Sequence, residues 1–297
     1  MWVKRMNDIN HKFKILYSMK KTSLFIAACF MCLAASAQIF QIKSTQQLPT
    51  PAGTEWKVAG FSPVGDYILL TDDGNGGVVS YDLATKATTT ISEARGAGFN
   101  VRISADGQNI VYREMTVGED KLVRSNIYKH SFATNQRSVQ ALAQRDMVNL
   151  VDKAANYSVV INEDLQMVLN RNGKSIVLTP NGANHTYNWP SISPDGSKIL
   201  YYVGGVGCFV CDMNGQSVQK IASHCRAPKW YDNNTIIGMA DEDDGKYMTA
   251  SAIVAYTLDG RSQIIVNKEQ MAIYPYAAEG KIAFSNAAGE VFLMQVK

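Results

Sequence analysis

Short apolar runs alternate along the chain with clusters of turn residues, and the alternation recurs. Four segments carry it most clearly: Phe61-Ser62-Pro63-Val64-Gly65, Ile103-Ser104-Ala105-Asp106-Gly107, Ile192-Ser193-Pro194-Asp195-Gly196 and Tyr276-Ala277-Ala278-Glu279-Gly280. Each is followed by a β-branched and aromatic run: Tyr67 to Leu70, Ile110 to Tyr112, Ile199 to Val203 and Ile282 to Phe284. Ser-Pro-Asp-Gly is a turn for physical reasons. Proline presets φ at the first corner, Asp accepts local backbone hydrogen bonds, and Gly tolerates positive φ. Apolar runs on both sides predict a β-hairpin. Two degenerate copies, Val151-Asp152-Lys153-Ala154-Ala155 and Trp230-Tyr231-Asp232-Asn233-Asn234, fill the gaps.

The positions equivalent to the motif serine are then 62, 104, 152, 193, 231 and 277, in steps of 42, 48, 41, 38 and 46 residues. The residue before each is large and apolar: Phe61, Ile103, Val151, Ile192, Trp230 and Tyr276. A strand buried on both faces demands such residues. A second turn follows within the repeat, at Tyr81 to Thr85, Asn170 to Gly173, Cys211 to Gly215 and Thr257 to Gly260. Each repeat therefore reads as four short strands, a to d. Roughly 40–45 residues per four-stranded unit is the signature of a propeller blade. The expectation is an all-β, six-bladed β-propeller of four-stranded antiparallel blades over residues 38–297. The last repeat stops after its third strand, so Ile39 to Lys43 is expected to supply the fourth and close the ring.

The amino end reads as an export address. Met19-Lys20-Lys21 is a basic flank, Leu24 to Ala35 an apolar run, and Ala35-Ser36-Ala37 a small-x-small site that places cleavage between Ala37 and Gln38. Cys29 after Ile26-Ala27-Ala28 offers a lipoprotein-type alternative, weakened by the apolar run that continues beyond it. The apolar stretch is shorter than the ~20 residues a spanning helix needs, so no membrane span is expected. Residues 1–37 hold six of the 29 basic residues and one of the 26 acids, so the body has 23 against 25, net −2. A mildly acidic body argues against nucleic acid as a partner. Export predicts a periplasmic or otherwise extracytoplasmic protein, in an oxidising compartment. Cys208 and Cys211 share one strand at odd spacing and face opposite ways, leaving Cys225 as the partner for either.

Phe61-Ser62-Pro63-Val64-Gly65-Asp66-Tyr67-Ile68 and Ile192-Ser193-Pro194-Asp195-Gly196-Ser197-Lys198-Ile199-Leu200-Tyr201 resemble the blades of the TolB propeller family. TolB is the periplasmic component of the Tol-Pal envelope system. The resemblance covers residues 38–297 as repeats and leaves room for the propeller only, without the N-terminal domain that precedes it in TolB. It implies a six-bladed fold and carries no functional residue across, because related blades serve many activities.

Chemistry-bearing motifs are few. No Gly-x-Ser-x-Gly nucleophile elbow occurs, and the Ser-Pro-Asp-Gly turns do not match the sialidase Asp-box. In a propeller the d–a and b–c connections share one face, where binding residues concentrate. The d–a connections bring Trp56, Phe99, His185, Tyr187, Trp189, His224, Arg226 and Tyr274, the candidate ligand-binding set. Trp56, Trp189 and Trp230 also begin inner strands, where they would pack between blades. Asp241, Asp243 and Asp244 form an acidic run that a calcium ion could use, although the spacing is not that of an EF-hand. Arg102 and Lys229 share one repeat position in the second and fifth blades, opposite each other in a ring. They would line a channel mouth or meet backbone and carboxylates. The composite expectation is a monomeric, non-catalytic envelope scaffold without a cofactor, binding a protein, peptide or glycan. The alternative is a carbohydrate-active lyase or glycosidase using the axial pocket, which requires paired carboxylates or a metal cluster converging at one end; whether His185, His224 and the Asp241–Asp244 acids meet within one pocket discriminates it.

Overall fold

The computed structural model describes residues 38–297. The signal segment, the Cys29 alternative and the cleavage site fall on residues 1–37 and lie outside the described residues. Residues Phe40–Lys297 form one compact unit.

Twenty-three strands build it. β1 (Ile42–Gln47) is followed by β2 (Trp56–Phe61), β3 (Tyr67–Asp72), β4 (Gly76–Asp82) and β5 (Thr88–Arg95), the first blade. The second blade is β6 (Arg102–Ile103), β7 (Asn109–Val117), β8 (Val123–Ser131) and β9 (Gln136–Gln144). The third holds β10 (Tyr157–Ile161), β11 (Met167–Arg171) and β12 (Lys174–Leu178). The fourth is β13 (Tyr187–Ile192), β14 (Lys198–Val203), β15 (Gly207–Asp212) and β16 (Gln219–Ala222). The fifth is β17 (Arg226–Trp230), β18 (Thr235–Asp243), β19 (Met248–Thr257) and β20 (Ser262–Val266). The sixth is β21 (Ala272–Ala278), β22 (Lys281–Asn286) and β23 (Val291–Val296), with β1 added at its outer edge. The result is a six-bladed propeller of antiparallel sheets. Among the described residues no helix is long and apolar enough to cross a membrane.

The turn chemistry explains the blade starts. In the fourth blade the Ser193 hydroxyl donates to Asp195 (2.6 Å) and accepts from the Lys198 N–H (2.9 Å), while Gly196 donates to the Ser193 carbonyl. Ser104 does the same with Asp106 (2.5 Å) and Asn109 (2.9 Å). The Asp195 carboxyl is drawn down to about 2, first by the Ser193 hydroxyl and then by Ser197. In the first blade Val64 replaces the aspartate, and the buried Ser62 hydroxyl has no partner.

Apolar residues alternate between neighbouring blades. In β3, Ile68 and Leu70 pack with the sixth blade, Tyr67 and Leu69 with the second. In β14, Ile199 and Tyr201 meet the third blade, Leu200 the fifth. Successive side chains of a strand point to opposite sides, so one strand serves two interfaces. Cys208 and Cys211 obey the same rule. Cys208 lies against Cys225 between the fourth and fifth blades, Cys211 between the third and fourth, and all three are buried thiols. Burial pushes Cys211 up to about 12.

Three details depart from expectation. The third blade has three strands, because residues 145–151 form no inner strand. There Asp146 bonds the Val148 N–H and Asn149 bonds Gln144, local contacts that compete with a ladder. The sixth-blade repeat is displaced by one residue. Its hairpin has only Glu279 and Gly280 between paired Ala278 and Lys281, both at positive φ, the two-residue geometry that matches strand twist. Ala277, not Tyr276, therefore takes the place of Ile192 and Trp230. The strand paired with β23 is Ile42–Gln47, slightly later than Ile39–Lys43.

Leu48, which follows β1, is buried among Val58, Ile68, Val291 and Leu293 at the seam of the first and sixth blades. Leu48→Ala should cost about 2–4 kcal/mol, lowering the melting temperature by roughly 5–10 °C. Ile42→Ala, at a position 42% exposed, should change it little. Equal melting temperatures for the two variants would contradict the role of this seam.

Candidate functional site

A cavity of about 380 Å³ opens on the face shared by the d–a and b–c connections, and every blade or its preceding link contributes to it. The first blade gives Lys57, Val58 and Thr71; the link to the second gives Gly98, Phe99 and Asn100. The third gives Ile161 and Leu165, the fourth Asn188, Trp189 and Pro190, the fifth Ala227 and Lys229, and the sixth Tyr274 and Tyr276. Among the described residues no carboxylate lines it.

The inner strands reach this cavity through a repeated bulge. The ladders of β13, β17 and β21 each skip two residues, Trp189-Pro190, Ala227-Pro228 and Tyr274-Pro275. Proline has no N–H to give a ladder and is tolerated at such breaks. Trp189, Ala227 and Tyr274 have φ of 48°, 47° and 51°, and Asn100 at the matching position before β6 has 58°. Non-glycine residues in this region cost of order 1–3 kcal/mol each and collect at functional sites. Bulges re-aim side chains beside such sites.

Of the eight candidate residues, Phe99, Trp189 and Tyr274 line the cavity. Arg113 stacks on Phe99 at 4.6 Å, and Lys57 sits 5.6 Å from the Tyr274 ring. Lys57 also pairs with Asp73. Trp189 is flanked by Tyr202 at 5.5 Å and by the Arg226 guanidinium at 6.0 Å, and Arg226 is fixed by Asp241 at 2.7 Å. Tyr187 is fully buried, its hydroxyl donating to the Gly182 carbonyl (2.9 Å) and accepting from Asn181 (2.9 Å). Trp56 packs on the seam cluster and donates to Pro51 (2.9 Å). His185 and His224 are exposed and outside the cavity lining.

The acidic run is not gathered around a shared point. Asp241 pairs with Arg226, Asp243 accepts from Gly245 N–H, and Asp244 accepts from Lys246 and Tyr247. Glu242 pairs with Lys268. Among the described residues no three His, Cys, Asp or Glu side chains are grouped to hold a metal. His185, His224 and these acids do not meet in the cavity, so the arrangement required of a lyase or glycosidase there is missing.

Tyr276 is the residue that the repeat reading misplaced. It follows the bulge at the same ladder position as Arg102, Ser191 and Lys229, and the three large side chains come together on the axis. The Lys229 ammonium lies 4.7 Å from the Tyr276 ring. Arg102 donates to Val159 O at 3.4 Å, and its Nε has no partner. Burial first, and then the neighbouring Arg102, lower Lys229 to about 8. Burial raises Tyr276 to about 12 and lowers Arg102. The aligned prolines at 190, 228 and 275 were the sequence signal that would have placed Tyr276 beside Lys229.

No family model matches the chain, and no curated protein does. Solved structures do match in fold. TolB from Acinetobacter baumannii superposes with a TM-score of 0.53 at 16% identity, covering 71% of this chain and 53% of that one. This chain thus spans about half of that TolB. A TolB-type structure from Agrobacterium tumefaciens gives 0.55 at 14% identity, over 85% of this chain and 96% of that one. A protein of unknown function from Bacteroides thetaiotaomicron gives 0.54 at 10%, over 86% and 72%. The chain has a TolB-like six-bladed propeller fold.

A lysine held below its ordinary value opposes folding while it is protonated, and the penalty fades as pH rises through its folded value of about 8. The charged group that acts on it is Arg102, and the Tyr276 ring faces it; Lys57 and Arg226 are already paired with Asp73 and Asp241. The stability of the wild type relative to Lys229→Met should therefore rise between roughly pH 7 and pH 9.5. Taking the difference removes the opposing effect of the buried thiols and tyrosines. A pH-independent difference in denaturant titrations would contradict the buried, unpaired lysine.

Proposed function

We propose that the protein is an exported, non-catalytic binding propeller of the cell envelope. It acts as a monomer, with residues 38–297 as its single domain once the leader is removed after Ala37. The cavity mouth grips a protein, a peptide or a glycan. The observation that carries this reading is the joint placement of Phe99, Trp189 and Tyr274, from three separate parts of the ring, around one 380 Å³ cavity without a carboxylate. That volume falls in the range of small-ligand and side-chain pockets, and aromatic anchors in a desolvated centre dominate binding energies. A rigid ring presents them with little ordering cost. Retaining or inverting sugar hydrolysis needs paired carboxylates, which this cavity lacks.

The export half of the reading is checked by fractionation and mass spectrometry, with a periplasmic chain beginning at Gln38 as the expected result and an intact cytosolic chain as the contrary one. The binding half is checked by affinity capture from envelope extract with wild type, Trp189→Ala and Phe99→Ala. A specific partner should be recovered by the wild type and weakened at least about tenfold by either variant, with the melting temperature nearly unchanged. Recovery that ignores both substitutions would contradict the cavity as the binding surface.

A further inference from the structure

The axis of the ring holds two cations without an anion. Arg102 and Lys229 come from opposite blades, and burial lowers the proton affinity of each. Neither forms an ion pair among the described residues. Lys229 makes no hydrogen bond there and only faces the Tyr276 ring. Lys229 lines the 380 Å³ cavity, and Arg102 lines a smaller chamber of about 170 Å³ with Asp152, Ser158 and Ser191. Its one carboxylate, Asp152, faces Lys129 at 4.0 Å. The Arg102 Nε and the Ser191 hydroxyl, both at this level, are buried without partners. Arg102, Asp152, Ser158, Ser191 and Lys229 are each half-buried as whole residues.

Such an arrangement is costly when nothing completes it. Buried charges are ordinarily paired, and two like charges in a low-dielectric interior repel. Donors left without acceptors are what an anionic group would satisfy: the Arg102 Nε, the Lys229 ammonium, the Ser191 hydroxyl and, from the side, the Tyr276 phenol. Above them the wall turns apolar and aromatic, with Phe99, Trp189 and Tyr274. We propose that the axial cavity is a carboxylate site: the acid group of a ligand sits between Arg102 and Lys229, and the body of the same ligand lies among the aromatic residues at the mouth. This rests on the cavity being the binding surface and adds the charge of what it binds. A peptide ending in a free carboxylate and an acidic sugar share the required chemistry.

The test uses the full chain and four probes at matched ionic strength: N-acetyl-phenylalanine, its uncharged amide, glucuronate and glucose. Binding is followed by calorimetry and by the rise in melting temperature. At least one acid should bind about tenfold or more tightly than its neutral counterpart, and which acid does so tells a peptide end from a uronic sugar. Lys229→Met and Arg102→Met should each abolish that preference. Lys229→Met alone, in a buffer poor in carboxylates, should also melt above the wild type, because one of two like charges is gone; this separates lost recognition from lost folding. Equal binding of acid and neutral forms overturns the carboxylate site and leaves the cavity as a binding surface. A preference that survives both substitutions overturns it too. So does the absence of any response to either acid at about 10 mM, a concentration that reveals even a millimolar Kd. Failure of the broader reading shows separately, in partner capture that ignores Trp189 and Phe99.

Discussion

Everything in this ring depends on sheets that are buried on both faces. Each central strand must satisfy two neighbours at once, and alternation along the strand does it: Ile68 and Leu70 to one side, Tyr67 and Leu69 to the other. Among the described residues an apolar cluster lies at each blade junction. A single blade would expose both faces of its sheet, so no blade is stable without its neighbours. The last junction is closed by the pairing of β1 with β23 and the burial of Leu48. That pairing also removes a free strand edge. Phe40 is held to the fifth blade as well, by two hydrogen bonds with Gln263 of 2.7 and 2.9 Å and by the Tyr231 ring at 4.4 Å.

The same constraint shapes the cavity. Inner strands that converge on an axis have no room for regular large side chains in every blade. Bulges at Trp189-Pro190, Ala227-Pro228 and Tyr274-Pro275 interrupt the ladder and turn one aromatic or small residue toward the opening. Two residues later the chain resumes its pairing and places Ser191, Lys229 and Tyr276 on the axis. Where the third blade lacks an inner strand, the lower chamber opens beside Arg102. The junction there is also thin, with Val111, Ile127 and Leu150 as its buried core.

Blade count and blade boundaries were legible because a tight turn needs particular residues, and Ser193-Pro194-Asp195-Gly196 states them openly. The sixth blade misled by one residue because Glu279-Gly280 makes a two-residue turn with no serine or proline to mark it. The missing inner strand of the third blade was illegible: Val151 is apolar enough for a strand, and only the local bonds of Asp146 and Asn149 divert the segment. For the site, the rule that one face carries the d–a connections pointed to Phe99, Trp189 and Tyr274, which line the cavity. It could not tell them from Tyr187, which has the same sequence character but points into a core and bonds Gly182. Nor could it exclude His185 and His224, whose place on the loops leaves them at the surface. Proximity across the axis between Arg102, Lys229 and Tyr276 is a property of closure, invisible to any local pattern.

Native-state hydrogen exchange tests the closed, mutually buried ring most directly, because it reads the opening free energy of each amide separately. If six sheets stabilise one another, the amide of Leu48, which bonds Val291 O at 2.8 Å, and those of the central strands β3, β7, β14, β18 and β22 should open with one common free energy. Amides at the β1 seam that exchange rapidly while the other blades stay protected would show an arc held open at its ends, and would contradict the account.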